Sequence, residues 1–404
     1  MTIQAIRGTR DILPDETPRW RFLEQTAREV FALHGFGEVR TPLLEKTELF
    51  TRAVGETTDI VEKEMYTFAD RNGDSLTLRP EGTASVVRAL VEHGLDRVPP
   101  WKVYYLGPMF RHERPQKGRY RQFHQIGCEW FGAEGPAADA EMLAMAMRFF
   151  RRAGLGDKVT LEINSLGCGV CRPPYRGLLT DSLHARLESL CPTCRLRLER
   201  NPLRVLDCKE EGCRRVARES PIMADHLCGA CGPHFDGVKG HLEAMGIPYQ
   251  LNGLMVRGLD YYTRTGFEIT TTALGSQNAV AAGGRYDALV AEMGGRPTPS
   301  IGFAMGVERL ALLLDEGLVK APVPTLFVAA AEGEAGRAAV WAERWREAGI
   351  AVETHLEGSL KTQMKKAGRV GSPWCVIVGV EESQRGKVIL REMAGGGQEE
   401  LSGE

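Results

Sequence analysis

The chain has 404 residues, enough for two or three domains, and its 51 Lys and Arg nearly balance 53 Asp and Glu for a formal net charge of -2. That balance excludes a global polycation, so any polyanion must be met by local basic patches. No uncharged apolar run approaches the ~18 residues a membrane span needs, and the opening MTIQAIRGTRDILPDE lacks the apolar region of a secretory signal. A cytoplasmic protein is expected, with its ten cysteines reduced, metal-bound or reactive rather than paired.

In chain order, WRFLEQTAREVFALHG has apolar residues at helical spacing and a glycine stop at Gly35. GDSLTLRPEGTASVVRALVEHG reads as a strand, a turn and a helix beginning near Gly82. KVYYLGPMF and YRQFHQIGCEWFG read as two strands joined by a turn at RPQKG. From about Gly167 to Pro248 the character changes: eight cysteines fall in CGVC, CPTC, CKEEGC and CGAC, with Arg-rich helical sequence between them. β-Type runs return in LMVRGLDYYTRTGFEITTTAL and AVAAGGRYDALV, and GFAMGVERLALLLDEG reads as an apolar helix. Beyond the Pro-marked VKAPVPT, strands alternate with helices, which suggests a small α/β domain on a mostly parallel sheet. The closing AGGGQEELSGE reads as a Gly-rich tail.

No GxxxxGK[ST] loop, strand-linked GxGxxG, HExxH or GxSxG motif is present. Phosphate chemistry would therefore rest on individual arginines. PMFRHERPQKGRYRQF carries five Lys or Arg in sixteen positions. Arg111 stands where the first strand meets the loop, and a planar, always-charged guanidinium suits a phosphate. Arg114, Lys117 and Arg119 lie further along the loop, too far to share that task, and suit an extended polyanion; a solvated basic hairpin is the alternative. VRGLDYYTRTGFE sets Arg257, Asp260, Tyr261 and Tyr262 in a β-type context, and Arg309 interrupts an otherwise apolar helix. Buried charges of this kind are expensive unless they meet ligands or each other. Three arginines beside glycines suggest a triphosphate held without a phosphate loop.

These stretches resemble the class II aminoacyl-tRNA synthetases, and within them the histidyl-tRNA synthetase family. FALHGFGEVRTPLLEKTELF is similar to the first motif, around Pro42; GPMFRHERPQKGRYRQFHQIGCEWFG to the second; GFAMGVERLALLL to the third. RGLDYYTRTGFE and AAGGRYD resemble the two histidine-specific motifs, and TLRPEGT the amino-acid-binding loop. The resemblance covers nearly the whole chain except the Cys-rich middle. It implies an α+β fold: an antiparallel-sheet catalytic domain over residues 1–322, a Cys-rich insertion at about 167–248, and an α/β anticodon-binding domain over 323–404. It also implies a homodimer built on the first motif.

The implied reaction joins L-histidine to ATP as histidyl-adenylate and passes the acyl group to tRNA(His), mainly by positioning and charge neutralisation. By resemblance, Arg111, Glu113 and Arg309 bind ATP, with Arg111 at the α-phosphate, Arg309 at the γ-phosphate and Mg2+ neutralising the remainder. Arg257 presses on the α-phosphate from the other side. Glu81 and Thr83 bind the histidine α-amino group, with Gln125 nearby, and Gly82 belongs to the same histidine-binding set. Glu129 and Tyr262 grip the imidazole nitrogens, and Tyr261 and Tyr286 line the pocket. Arg114, Lys117 and Arg119 serve the tRNA acceptor end, and the basic helix SLKTQMKKAGRVG is a candidate RNA-facing element. The rival within this fold is a catalytically silent paralogue acting as regulatory subunit of an ATP phosphoribosyltransferase. Such a subunit is expected to lack the histidine-specific motifs and the anticodon domain.

The insert departs from the family pattern. Cys168 and Cys171, Cys191 and Cys194, Cys208 and Cys213, and Cys228 and Cys231 satisfy the count for two tetrahedral zinc sites. Reduced thiols without metal, or one site using four of the eight, are the other readings. His226 and His234 lie close enough in sequence to replace a cysteine.

Overall fold

The computed structural model describes residues 2–402 apart from 56, 57, 260, 276, 277, 320 and 321. Asp260, singled out above, lies outside the described residues. The chain divides into two units, Met1–Val319 and Lys320–Glu404.

The first unit opens with α1 (Thr17–Leu33), which has a Pro in its first turn and buries Trp20, Leu23, Ala27, Val30 and Phe31 along one stripe. β1 (Gly37–Glu38), β2 (Leu44–Lys46), α2 (Thr47–Val54), β3 (Tyr66–Ala69), β4 (Ser75–Leu78) and α3 (Thr83–Glu92) follow. Then come the long strands β5 (Trp101–Phe110) and β6 (Gln122–Phe131), α4 (Gly135–Arg152) and β7 (Thr160–Ser165). The insert supplies α5 (Arg172–His184), α6 (Pro192–Arg200), α7 (Glu211–Arg218) and α8 (Cys231–Ala244). β8 (Gln250–Leu251), β9 (Thr263–Thr270), β10 (Ala279–Arg285), α9 (Leu289–Glu292), β11 (Ser300–Gly306) and α10 (Val307–Leu313) complete the unit.

Eight strands form one sheet in the order β1-β5-β6-β11-β10-β9-β7-β8. Only its two outermost pairings, β1 with β5 and β7 with β8, are parallel. Strand parity divides the labour. On one face Ile126 and Cys128 (β6), Phe303 and Met305 (β11), Phe267 and Ile269 (β9) and Leu161 and Ile163 (β7) pack into a core with α1, α4, α8 and α10. The intervening residues point the opposite way. There Glu129 pairs with Gly302, Gly127 with Ala304, Gln125 with Gly306, and Ala282 with both Ala304 and Glu268. That face is paved with small residues and punctuated by polar ones, and it forms the floor of a cleft.

Two expectations are corrected. The apolar run GFAMGVERLALLL is a strand until Gly306 and a helix only from Val307. A central strand buried on both faces has no period to distinguish it from a buried helix. Among the described residues of 253–262, read as β-type, none lies in a strand; β9 begins at Thr263, where its pairings with β7 and β10 are available. The insert also has a softer boundary than its composition suggests. Phe235, Val238 and Leu242 of α8 belong to the main core, whereas Tyr175, Leu179, Leu183, Leu198, Val205 and Val216 form a separate small core with buried cysteines.

The second unit holds β12 (Leu326–Ala330), α11 (Ala335–Glu347), β13 (Val352–Thr354), α12 (Leu360–Val370), β14 (Trp374–Val378), α13 (Val380–Gln384), β15 (Lys387–Glu392) and β16 (Gln398–Ser402). Val328 and Ala330 pack under α11, Phe327 and Ala329 under α12, so the sheet is covered on both faces. Its order is β13-β12-β14-β15-β16, and the last two pairings are antiparallel. The mostly parallel sheet expected above is thus half antiparallel. The Gly-rich tail is not featureless: the glycines turn β15 back into β16. Among the described residues no helix is long and apolar enough to cross a membrane.

Candidate active site

A cleft of about 920 Å3 opens over the small-residue face of the large sheet. Next to Thr83, which lines this cleft, Glu129 is 1% exposed. The Thr83 hydroxyl donates to one Glu129 oxygen at 2.7 Å, and the Tyr286 hydroxyl donates to the other. A Cβ on Gly302, directly across the strand pair, would land on the Glu129 carboxylate, so only glycine leaves room for it there. Burial pushes the Glu129 carboxyl up to about 8; the two hydroxyls pull against that and nearby Glu81 adds to it.

Glu81 sits at the N-terminus of α3 and accepts the backbone N–H groups of Thr83 and Ala84 at 2.8 and 2.7 Å. The carboxylate thus satisfies two of the helix's orphan donors and is itself fixed, with burial raising its pKa. Gly82 is the N-cap residue between them. On β6 the buried Gln125 Oε1 has no hydrogen-bond partner among the described residues, and its side chain lines the cleft. Tyr261, Tyr262 and Tyr286 cluster, with ring centroids 4.7 Å apart for the first pair and 5.7 Å for Tyr261 and Tyr286.

Arg257 comes from the loop before β9. Glu268 holds its guanidinium at 2.8 Å, it lies over the Tyr262 ring at 4.9 Å, and its buried Nε is unmatched among the described residues. Arg111 donates to the Pro80 carbonyl at 2.8 Å and stacks over Phe123 at 5.3 Å. Glu113 lies 3.8 Å from Arg111 and 2.7 Å from Arg119. Arg309, on the first turn of α10, donates to the Ala279 carbonyl, and these four arginines line the cleft together with Glu113 and Glu268.

Arg119 corrects the reach argument made from sequence. Gln116 and Arg119 exchange backbone hydrogen bonds around Lys117 and Gly118, and Gly118 takes φ +73°. This tight turn folds back so that Gly118 faces Leu312 and Arg309 of α10, which returns Arg119 to the cleft. Arg114 and Lys117 remain exposed.

Several cleft residues escaped the sequence reading. Tyr105 on β5 lies opposite Gly127, where a Cβ would collide with its ring, and its buried hydroxyl has no hydrogen-bond partner among the described residues. A glycine in mid-strand was the available signal. Glu268 could be found only through its pairing with Arg257. Arg204, Lys209, Arg214 and Arg218 bring the insert to the cleft wall. Beneath the site Arg285, 1% exposed, is ion-paired to the buried Asp139 and to Asp287. His234 also bonds Asp139, at 2.8 Å, so it is no substitute for a cysteine.

The eight insert cysteines meet in two groups of four, Cys168, Cys171, Cys228 and Cys231, and Cys191, Cys194, Cys208 and Cys213. Each could hold a metal ion.

Comparison with known proteins agrees with this geometry. The family model described as Histidyl-tRNA synthetase matches residues 8–168 and 219–310, and one described as Anticodon binding domain matches 328–404. A protein of Syntrophotalea carbinolica named Histidine--tRNA ligase is 52% identical over 405 residues, covering 100% of this chain and 96% of its own. One of the same name from Trichlorobacter lovleyi is 54% identical over 406 residues, covering 99% and 96%. The crystal structure of apo S. aureus histidyl-tRNA synthetase superposes with a TM-score of 0.81 at 35% identity, covering 99% of this chain and 97% of that one. The chain belongs to the histidyl-tRNA synthetase family.

Proposed function

We propose that the cleft activates L-histidine with ATP and that its residues divide the work as follows. As a member of its family the chain is a histidine–tRNA ligase, an ATP-using enzyme of protein biosynthesis. Glu129 and Tyr262 take the two imidazole nitrogens, with Tyr261, Tyr286 and Thr83 fixing the pocket around them. Glu81 and Gln125 take the α-amino group; the unmatched Gln125 Oε1 supports this, since a buried acceptor wants a donor. The histidine carboxylate oxygen attacks the α-phosphorus of ATP, and pyrophosphate leaves. Arg111 and Arg257 flank that phosphorus and stabilise the charge developing on its oxygens. Arg309 and Arg119 hold the outer phosphates, with Glu113 orienting Arg119 and Arg111. The terminal ribose hydroxyl of tRNA(His) then attacks the acyl carbon, and AMP leaves.

Mg2+ accompanies ATP in this reading and neutralises phosphate charge. Arg114 and Lys117, exposed on the hairpin, contact the acceptor end through phosphates. The exposed Lys361, Lys365 and Arg369 of α12 support an RNA-facing role for the second unit. Leu33, Leu43 and Leu44, 62, 41 and 44% exposed in the first-motif region, support a homodimer that covers them. We place the protein in the cytoplasm, and we place structural zinc in its insert.

The single observation carrying this reading is the buried carboxyl of Glu129, held by two hydroxyls above a glycine floor, one of them from Thr83, which lines the cleft together with the arginines. ATP–pyrophosphate exchange with a panel of amino acids tests it. Histidine alone should support exchange; exchange with another amino acid, or none with histidine, would overturn it. A silent phosphoribosyltransferase subunit would give no exchange, and the cleft arginines argue against one.

A further inference from the structure

The eight insert cysteines, of which Cys208 lines the cleft, have no role in the activation chemistry proposed above, yet they are gathered rather than scattered. We propose that the insert holds two zinc ions, one in Cys168, Cys171, Cys228 and Cys231 and one in Cys191, Cys194, Cys208 and Cys213. We further infer that the first centre fixes the loop that carries Arg257, Tyr261 and Tyr262. This partition rests on the zinc reading above and goes beyond it.

Within each group all four sulfurs lie within 4.8 Å of one another. Cys168 is 3.8 Å from both Cys171 and Cys228, and Cys191 is 4.0 Å from Cys208. A tetrahedron with Zn–S bonds of about 2.3 Å has sulfur–sulfur edges of about 3.8 Å; a disulfide requires about 2 Å. Backbone N–H groups point at the sulfurs: Val170 at Cys168 (3.4 Å), Cys228 at Cys171 (3.1 Å) and Cys191 at Cys213 (3.2 Å). Such donors stabilise thiolate charge, as outer partners of a metal site do.

Charge and packing agree. Two Zn(Cys)4 centres carry about -4 in total. Residues 167–231 hold eleven Lys or Arg against eight Asp or Glu, an excess of three that offsets most of it. The insert core is thin, and Cys171, Cys194, Cys213 and Cys231 are themselves buried members of it. Metal binding would supply folding energy this core lacks. Each set is already complete with four thiolates, which marks a structural site rather than a catalytic one. His226 faces the Tyr175 ring at 6.1 Å and is not needed.

The two centres differ in what they join. The second ties α6 to the start of α7. The first spans 60 residues and clasps the insert's entry to its exit. Its neighbour Arg172 follows Cys171 directly and donates to the carbonyls of Leu166 (3.0 Å) and Tyr262. On the other side of Cys168, the Gly167 carbonyl accepts from Arg264 N–H at 2.8 Å. The first centre is thus one residue from a bond to the histidine-binding loop, through Arg172, and one residue from a bond to the start of β9 that follows the loop; Arg172 is the positioning residue.

Elemental analysis of the full chain purified without chelator should give two zinc per chain, and X-ray absorption should show four sulfurs around each. Cys171→Ser should leave one zinc and raise the histidine KM about tenfold with kcat less affected. Cys194→Ser should also leave one zinc but keep the histidine KM. Arg172→Ala should keep both zinc ions and raise the histidine KM, which separates positioning from folding if Cys171→Ser is insoluble. Replacement by Co2+ should give two equivalents with tetrahedral thiolate spectra. No zinc or cobalt uptake would overturn the zinc reading itself. One equivalent would overturn the partition alone. Two equivalents with an unchanged histidine KM in Arg172→Ala would overturn the link to the loop.

Discussion

Replacing Glu129 by Gln changes one proton and one hydrogen bond beside the cleft-lining Thr83. In the ligand-free protein burial lifts this carboxyl to about 8, so near pH ~7 it is mostly protonated and ionising it costs about 1.4 kcal/mol. An imidazole side chain titrates near ~6.5. Between those values the free partners hold one proton, on the carboxyl, and the complex holds one proton between carboxyl and imidazole. Histidine affinity should therefore be flat there. Above about 8 the free carboxylate must take a proton up to re-form the pair, and affinity should fall about tenfold per pH unit. The amide removes that limb. It also replaces a charge-assisted bond worth about 1.5–3 kcal/mol, so binding should weaken about 10- to 150-fold. The α-amino group of histidine titrates for both proteins, so the wild-type to variant affinity ratio isolates Glu129. Calorimetry across this range should show that ratio constant and then falling. Stability gives an independent sign. The folded carboxyl keeps its proton above the ordinary 4.5, so the folded state binds more protons between 4.5 and about 8. Wild-type stability is lost as pH rises through that window, and the melting-temperature advantage of Glu129→Gln should grow across it. An affinity ratio independent of pH, or histidine affinity within about threefold of wild type, would refute the reasoning.

Arg257→Ala should fold normally and slow histidine-dependent pyrophosphate exchange by at least ~100-fold, because a preorganised charge at the reacting phosphorus is lost; near-normal exchange would remove Arg257 from the chemistry. Arg119→Ala should raise the ATP KM about tenfold while leaving the histidine KM unchanged, as a lost charge-assisted phosphate contact would. If instead only tRNA charging suffers, Arg119 belongs with Arg114 and Lys117. Tyr105→Phe removes a buried hydroxyl with no hydrogen-bond partner among the described residues, so thermal stability should hold while the histidine KM rises about tenfold; equal loss of stability would mean that the hydroxyl makes a structural bond to Glu129 or Thr83.

Much of this cleft was legible because it lies on long, well-bounded elements. β5 and β6 are ten residues each, and their parity alone sends Gln125 and Glu129 to one face and Ile126 and Cys128 to the other. What was not legible depends on long-range packing. The return of Arg119 requires the hairpin tip to meet Leu312, almost two hundred residues later, and no local pattern encodes that contact. Residues 301–306 carry no polar side chain, so their strand character appears only once β6 and β10 lie on either side. The cysteine spacings state a ligand count, but four pairs can be grouped in three ways. Only the folding of α5 to α8 brings Cys168 and Cys171 to Cys228 and Cys231.

Glycines show why the same residues are easy to find and hard to place. Gly127 and Gly302 carry no chemistry, yet Tyr105 occupies the space above one and Glu129 the space above the other. A Cβ at either position would expel the neighbouring polar side chain and leave a buried carboxyl or hydroxyl without its site. The chain therefore spends strand stability, which glycine lowers, at the positions where polar side chains must lie flat on the sheet. Read along the sequence, such a glycine marks only a weak strand. Across the register it marks the neighbour it makes room for, and the pocket is drawn by those pairs: Tyr105 over Gly127, Glu129 over Gly302. If Glu129 takes the imidazole as proposed, its selectivity rests on the second pair, since any side chain at 302 would push the Glu129 carboxyl away from the two hydroxyls that hold it.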